Sequence, residues 1–147
     1  MEKSFDKRKF DIRHQPRRSG KTTELIKRMK ESALSDSYDR IIIVSFNNKV
    51  LQKYTKHFKN LTKANTKISL DTWVSRDYLE SFPKLGKSTL VLIDEPFMIH
   101  HFIQDEVLSY LSDSDKVSKV IGLGTRKRQA FREFMDCVKG MEERKGD

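Results

Sequence analysis

The residues best equipped for chemistry lie near the start of the chain, in His14-Gln15-Pro16-Arg17-Arg18-Ser19-Gly20-Lys21-Thr22-Thr23. Glycine, lysine and a hydroxyl residue in that order close the pattern G-x-x-x-x-G-K-[ST] of a phosphate-cradling loop. In such a loop backbone N–H groups surround phosphate oxygens, the lysine reaches the outer phosphates and the hydroxyl holds Mg²⁺. Gly20, Lys21 and Thr22 supply the end of the pattern, and Gln15 stands where the first glycine is expected. Pro16, Arg17, Arg18, Ser19 and Thr23 complete the candidate binding set. The chemistry needs a strand before the loop and a helix after it. Phe10–Ile12 reads as a short strand, and Thr22–Ala33 as a helix with Leu25, Ile26, Met29 and Ala33 on one face. The positive end of that helix would face a bound phosphate. The plain alternative is a basic surface turn that contains Gly-Lys-Thr by chance.

A second motif argues against chance. Leu90-Val91-Leu92-Ile93-Asp94-Glu95 is an aliphatic strand that delivers two acids at its carboxyl end, where parallel α/β sheets place their sites. Asp94 would support Mg²⁺, and Glu95 would orient a water and take its proton during attack on a terminal phosphate. Buried strands also end in acids that only cap the next helix, but this one follows the lysine loop by two strand–helix units. A third segment, Gly122-Leu123-Gly124-Thr125-Arg126-Lys127-Arg128, ends another buried strand. If that strand lies between the other two, Thr125 comes near the terminal phosphate and can sense it. Arg126 or Arg128 could stabilise charge there, although a helix cap followed by solvated arginines explains them more simply.

The elements that position these residues follow from hydrophobic periodicity. Arg40–Phe46 reads as a strand covered on both faces, and a helix opens at Asn47-Asn48 with Val50, Leu51, Tyr54, Phe58 and Leu61 on one side. Lys67–Leu70 is a short strand. Asp71 or Thr72 is placed to cap a helix running to about Phe82. Ser88–Glu95, a helix at Phe102–Leu111, a strand at Val117–Leu123 and a helix at Arg126–Lys139 follow, with Gly140–Asp147 expected to fray. Strands alternate with helices, so the fold class is α/β, a single domain with a mostly parallel sheet of about five strands. Residues 1–9 and 140–147 are the expected flexible ends.

The 147 residues carry a net charge of +9, which favours a polyanionic partner such as nucleic acid. No apolar run approaches the roughly 20 residues of a membrane span, and residues 1–7 lack the apolar core of a secretory signal. Cys137, the single cysteine, excludes an internal disulfide and a multi-cysteine zinc site, and is expected to be a small buried side chain. An intracellular, non-secreted setting without membrane association is expected.

The tandem Asp94-Glu95 and the strand ending at Thr125 resemble P-loop ATPases of the additional-strand, catalytic-glutamate group, which includes helicases and viral genome-packaging motors. Arg17-Arg18-Ser19-Gly20-Lys21-Thr22-Thr23 is similar to the deviant loop of large-terminase packaging ATPases, in which an arginine precedes the glycine and the first glycine is often lost. The resemblance covers about residues 10–130 and implies a RecA-like sheet that binds ATP and Mg²⁺. Thr22 and Asp94 would serve the metal, with catalytic roles for Lys21, Glu95 and Arg17. Arg17 would contact the γ-phosphate, and Gly124-Thr125 resembles the coupling motif. Ile41–Phe46 with Asn47-Asn48 is similar to the segment that couples to nucleic acid, DNA more than RNA. Packaging enzymes add a nuclease domain and helicases a second motor domain, so translocation would need an oligomer or a partner chain. A rival resemblance exists: Pro16 with Ser19-Gly20-Lys21-Thr22-Thr23-Glu24-Leu25 is similar to the loop of tetrameric-type thymidine kinases. The cysteine domain and nucleoside lasso of those kinases have no counterpart in this sequence. A nucleotide-dependent binding protein without turnover, or a structural protein on an inactive ATPase fold, are the remaining alternatives.

Other residues have simpler explanations. His100-His101 lack further ligands for a metal site. Trp73, Tyr78 and Phe82 could stack on bases but are spaced as helix core. Lys49, Lys53, Lys56 and Lys59 could follow a phosphate backbone.

Overall fold

The computed structural model describes residues 9–16, 20–35, 37–45, 48–61, 66–72, 88–98, 101–125 and 128–146. In chain order the elements are β1 (Phe10–Gln15), α1 (Lys21–Leu34), β2 (Arg40–Ser45), α2 (Asn48–Thr55) and a 3-10 turn at Phe58–Leu61. Then come β3 (Lys67–Thr72), β4 (Thr89–Asp94), a 3-10 turn at Pro96–Met98, α3 (His101–Asp113), β5 (Val117–Thr125) and α4 (Arg128–Gly146). The strands form one sheet in the order β1-β5-β4-β2-β3, and every pairing is parallel. The expected α/β class with a five-stranded parallel sheet is therefore observed.

Strands that are apolar along their whole length need cover on both faces. On one face Ile42, Val44, Val91 and Ile93 pack against Val107, Leu108 and Leu111 of α3 and Phe134, Val138 and Met141 of α4. On the other, Ile41, Ile43, Leu90 and Leu92 pack against Leu25, Met29 and Ala33 of α1 and Leu51 and Tyr54 of α2. β5 lies between β1 and β4, so the strand that ends at Thr125 separates the lysine loop from the paired acids.

Several boundaries differ from the expected ones, each for a physical reason. β1 continues past Ile12 to Gln15, with His14 opposite Gly124 and Gln15 opposite Thr125. Backbone pairing to β5 carries these polar residues, whose side chains are largely exposed at the sheet edge. The helix expected through Leu61 stops at Thr55, whose hydroxyl donates to the Gln52 carbonyl at 2.7 Å, while His57 N–H turns back to Tyr54 O at 3.0 Å. The 3-10 turn that follows still buries Leu61. Asp71 and Thr72 are the last two residues of β3. The helix expected after them, with Trp73, Tyr78 and Phe82, falls outside the described residues. α4 does not fray at Gly140 but runs to Gly146, because Met141 extends the apolar stripe of Phe134 and Val138 into the core. Lys9, expected in the loose lead-in, is tied down: its Nζ donates to the carbonyls of Ser112 at 3.0 Å and Ser114 at 2.9 Å. Cys137 is only partly buried, and its Sγ donates to Asp105 Oδ1 at 2.5 Å. Among the described residues no helix is long and apolar enough to cross a membrane.

Candidate functional site

The carboxyl ends of β1, β5 and β4 lie side by side, and most of the described candidate residues sit there. Gly20 sets the entry to α1. Its φ of 82° is left-handed, a conformation glycine adopts without a Cβ clash, and no atom crowds the Cβ position. The Gly20 carbonyl then accepts the first helical bond, from Glu24 N–H at 2.9 Å. The amides of the first turn of α1 are thereby left without intrahelical acceptors. Gln15, at the position of the missing glycine, is the last residue of β1 and pairs with Thr125. An extended backbone there has no need of glycine.

Lys21 is the first residue of α1 and is buried despite its charge. Its Nζ donates to the Pro16 carbonyl at 3.3 Å and stands 4.0 Å from Glu95 Oε2. The lysine side chain thus ties the start of α1 back to Pro16, just past the end of β1. The loop arginines Arg17 and Arg18, with Ser19, fall outside the described residues. Thr23 is exposed in the first turn of α1.

Asp94 ends β4 and is only 2% exposed. Its Oδ2 accepts two hydrogen bonds, from Thr22 Oγ1 at 2.8 Å and from Tyr54 OH at 2.7 Å. Both donors use the same oxygen, and Oδ1 receives neither. Burial pushes the Asp94 carboxyl above the usual carboxylate range. The bonds from Tyr54 and Thr22 pull it back, the Glu95 charge adds to the rise and Lys21 opposes it. Burial, then the charge of Asp94 and the bond to it, drives the Tyr54 phenol far above its ordinary value, so Tyr54 remains a donor.

Glu95 turns the chain out of the sheet with a φ of 64°, the one non-glycine residue in the left-handed region among those described. Such a conformation costs about 1–3 kcal/mol and is held only by its surroundings. The surroundings are visible. Glu95 N–H donates to Leu123 O at 3.0 Å, and the Glu95 carbonyl accepts from Met98 N–H at 3.1 Å. The carboxylate accepts from Thr125 twice, Oε1 from the backbone N–H and Oε2 from Oγ1, each at 2.7 Å. Behind it Pro96 and Phe97 press onto Gly122 and Gly124; a Cβ at Gly124 would lie 2.5 Å from the Phe97 ring. The two glycines of β5 thus make room for the turn that carries Glu95.

Lys21, Thr22, Asp94, Glu95 and Thr125 are therefore brought together. Arg126 falls outside the described residues, as do His100 and the side chains of His101 and Arg128. Lys49, Lys53 and Lys56 are exposed on and just beyond α2. Two polar residues were missed by sequence reasoning. Tyr54 sits in an apolar helical stripe and reads as core; the only signal was that a buried phenol needs an acceptor. Ser45 ends β2 in register with Asp94, is 1% exposed, and its Oγ has no hydrogen-bond partner. Asp94 Oδ1, which neither hydroxyl occupies, is the hard oxygen donor that a divalent cation takes. No model of a known protein family matches the chain, and no curated protein matches its sequence.

Proposed function

We propose that the chain is a RecA-like P-loop nucleoside triphosphatase that binds ATP with Mg²⁺ at the carboxyl ends of β1, β5 and β4. One observation carries this: the Lys21 ammonium, the Thr22–Asp94 pair and the Glu95–Thr125 pair gather around the start of α1. Lys21 neutralises the outer phosphates and the first-turn amides of α1 hold their oxygens. Thr22 and Asp94 hold the metal, which supplies charge neutralisation to the phosphates when bound. Glu95 orients a water and accepts its proton, for which one carboxylate oxygen must leave Thr125. Thr125, released in the same movement, is free to contact the terminal phosphate. Arg17 supplies further charge from the loop.

The net charge of +9 and the exposed lysines of α2 support a nucleic-acid partner, DNA before RNA, and a motor or packaging task performed with other chains. Rates of ATP hydrolysis with and without DNA or RNA test this reading. Glu95→Gln is expected to keep ATP binding and lose about 10²–10⁴-fold in turnover. Undiminished turnover in that variant rules out Glu95 as the base.

A further inference from the structure

Tyr54 is 0% exposed, and its hydroxyl meets a carboxylate rather than a backbone carbonyl. At 2.7 Å the bond has the usual O–H···O length. An aspartate side chain turns about two bonds, and a single donor leaves it free to exchange its oxygens. Here two donors on two different helices, Thr22 of α1 and Tyr54 of α2, converge on Oδ2. That removes the choice. We propose that Tyr54 is a positioning residue, whose hydroxyl joins that of Thr22 in fixing Asp94 by Oδ2 and so reserves Oδ1 for a divalent cation. The inference rests on the reading of Asp94 as the metal-supporting acid, and adds to it a residue outside the loop and acid motifs. Supports of this kind around metal-binding carboxylates typically change metal affinity by about 10–100-fold when removed.

The distinguishing variant is Tyr54→Phe, which keeps the ring and removes the bond. Calorimetric titration of the full chain with ATP, in chelator and in Mg²⁺, separates the metal's share of affinity from the loop's. The expected result is an unchanged metal-free affinity and about a tenfold smaller gain on adding Mg²⁺. In an Asp94→Asn background the same substitution is expected to change that gain no further, because the hydroxyl acts through Asp94. A Mg²⁺ gain equal to that of the unaltered chain overturns the proposal, and so does an equal loss with and without metal. A Tyr54→Phe chain that fails to fold, where Leu51→Ala on the same helix folds, assigns the hydroxyl to structure and also overturns it. An unaltered chain that binds no ATP in either condition removes the nucleotide reading itself, and this inference with it.

Discussion

Along β4, Val91 and Ile93 face α3 and α4, whereas Leu90, Leu92 and Asp94 face α1 and α2. The first face stays apolar to its end, where Phe97 meets Phe134 edge-on, with ring centroids 5.5 Å apart at 79°. The second changes character at its last layer: Ser45 and Asp94 replace aliphatic side chains on the strands, and Lys21, Thr22 and Tyr54 answer them from the helices. The two faces share strands but divide their work. One supplies packing that can hold the strained Glu95 turn in place; the other gives up its final apolar layer to bring charged and hydroxyl groups together. The Pro96–Phe97 turn joins them, since it packs on the first face while Glu95, immediately before it, reaches Thr125 and Lys21.

That division predicts a graded set of stability effects. Phe134→Ala empties the centre of the apolar face and is expected to cost about 3–5 kcal/mol in urea unfolding, with ATP affinity of the folded molecules unchanged. A tenfold loss of affinity in folded protein would mean that the two faces are not separable. Gly124→Ala drives a methyl into the Phe97 ring, which Phe134 holds in place, and is expected to cost about 1–3 kcal/mol. It also displaces the turn that carries Glu95, so turnover is expected to fall along with stability. Glu95→Gln is the opposite case, with at most about 1 kcal/mol of stability at stake in its bonds to Thr125 and nearly all turnover. A large loss of stability there would move Glu95 from chemistry to structure.

Most of the packing was legible in the sequence. The runs Ile41–Val44 and Leu90–Ile93 could only be strands covered on both faces, and the stripe Leu25, Met29, Ala33 could only be a buried helix face. The two acids and the Gly-Lys-Thr stood out as residue types in order, and the fold brings them to one end of the sheet. What was illegible depended on contacts made across the sheet. His14 and Gln15 gave no strand signal because backbone pairing to β5, not side-chain burial, extends β1. The end of α2 at Thr55 turns on one hydroxyl-to-carbonyl bond, and the persistence of α4 past Gly140 on the burial of Met141. Tyr54 was read as core because periodicity reports burial and is silent about where a phenol oxygen points. The position of β5 between β1 and β4 was legible from the two motifs, but the bonds of Glu95 to Thr125 were not.

Calorimetry of Mg²⁺·ATP binding to the unaltered chain and to Lys21→Ala bears most directly on the convergence of loop and acids. Saturable one-site binding to the unaltered chain is expected, weakened at least about tenfold in the variant, a difference of about 1.4 kcal/mol or more. Equal affinity in the two folded proteins, or no binding to either, would contradict it.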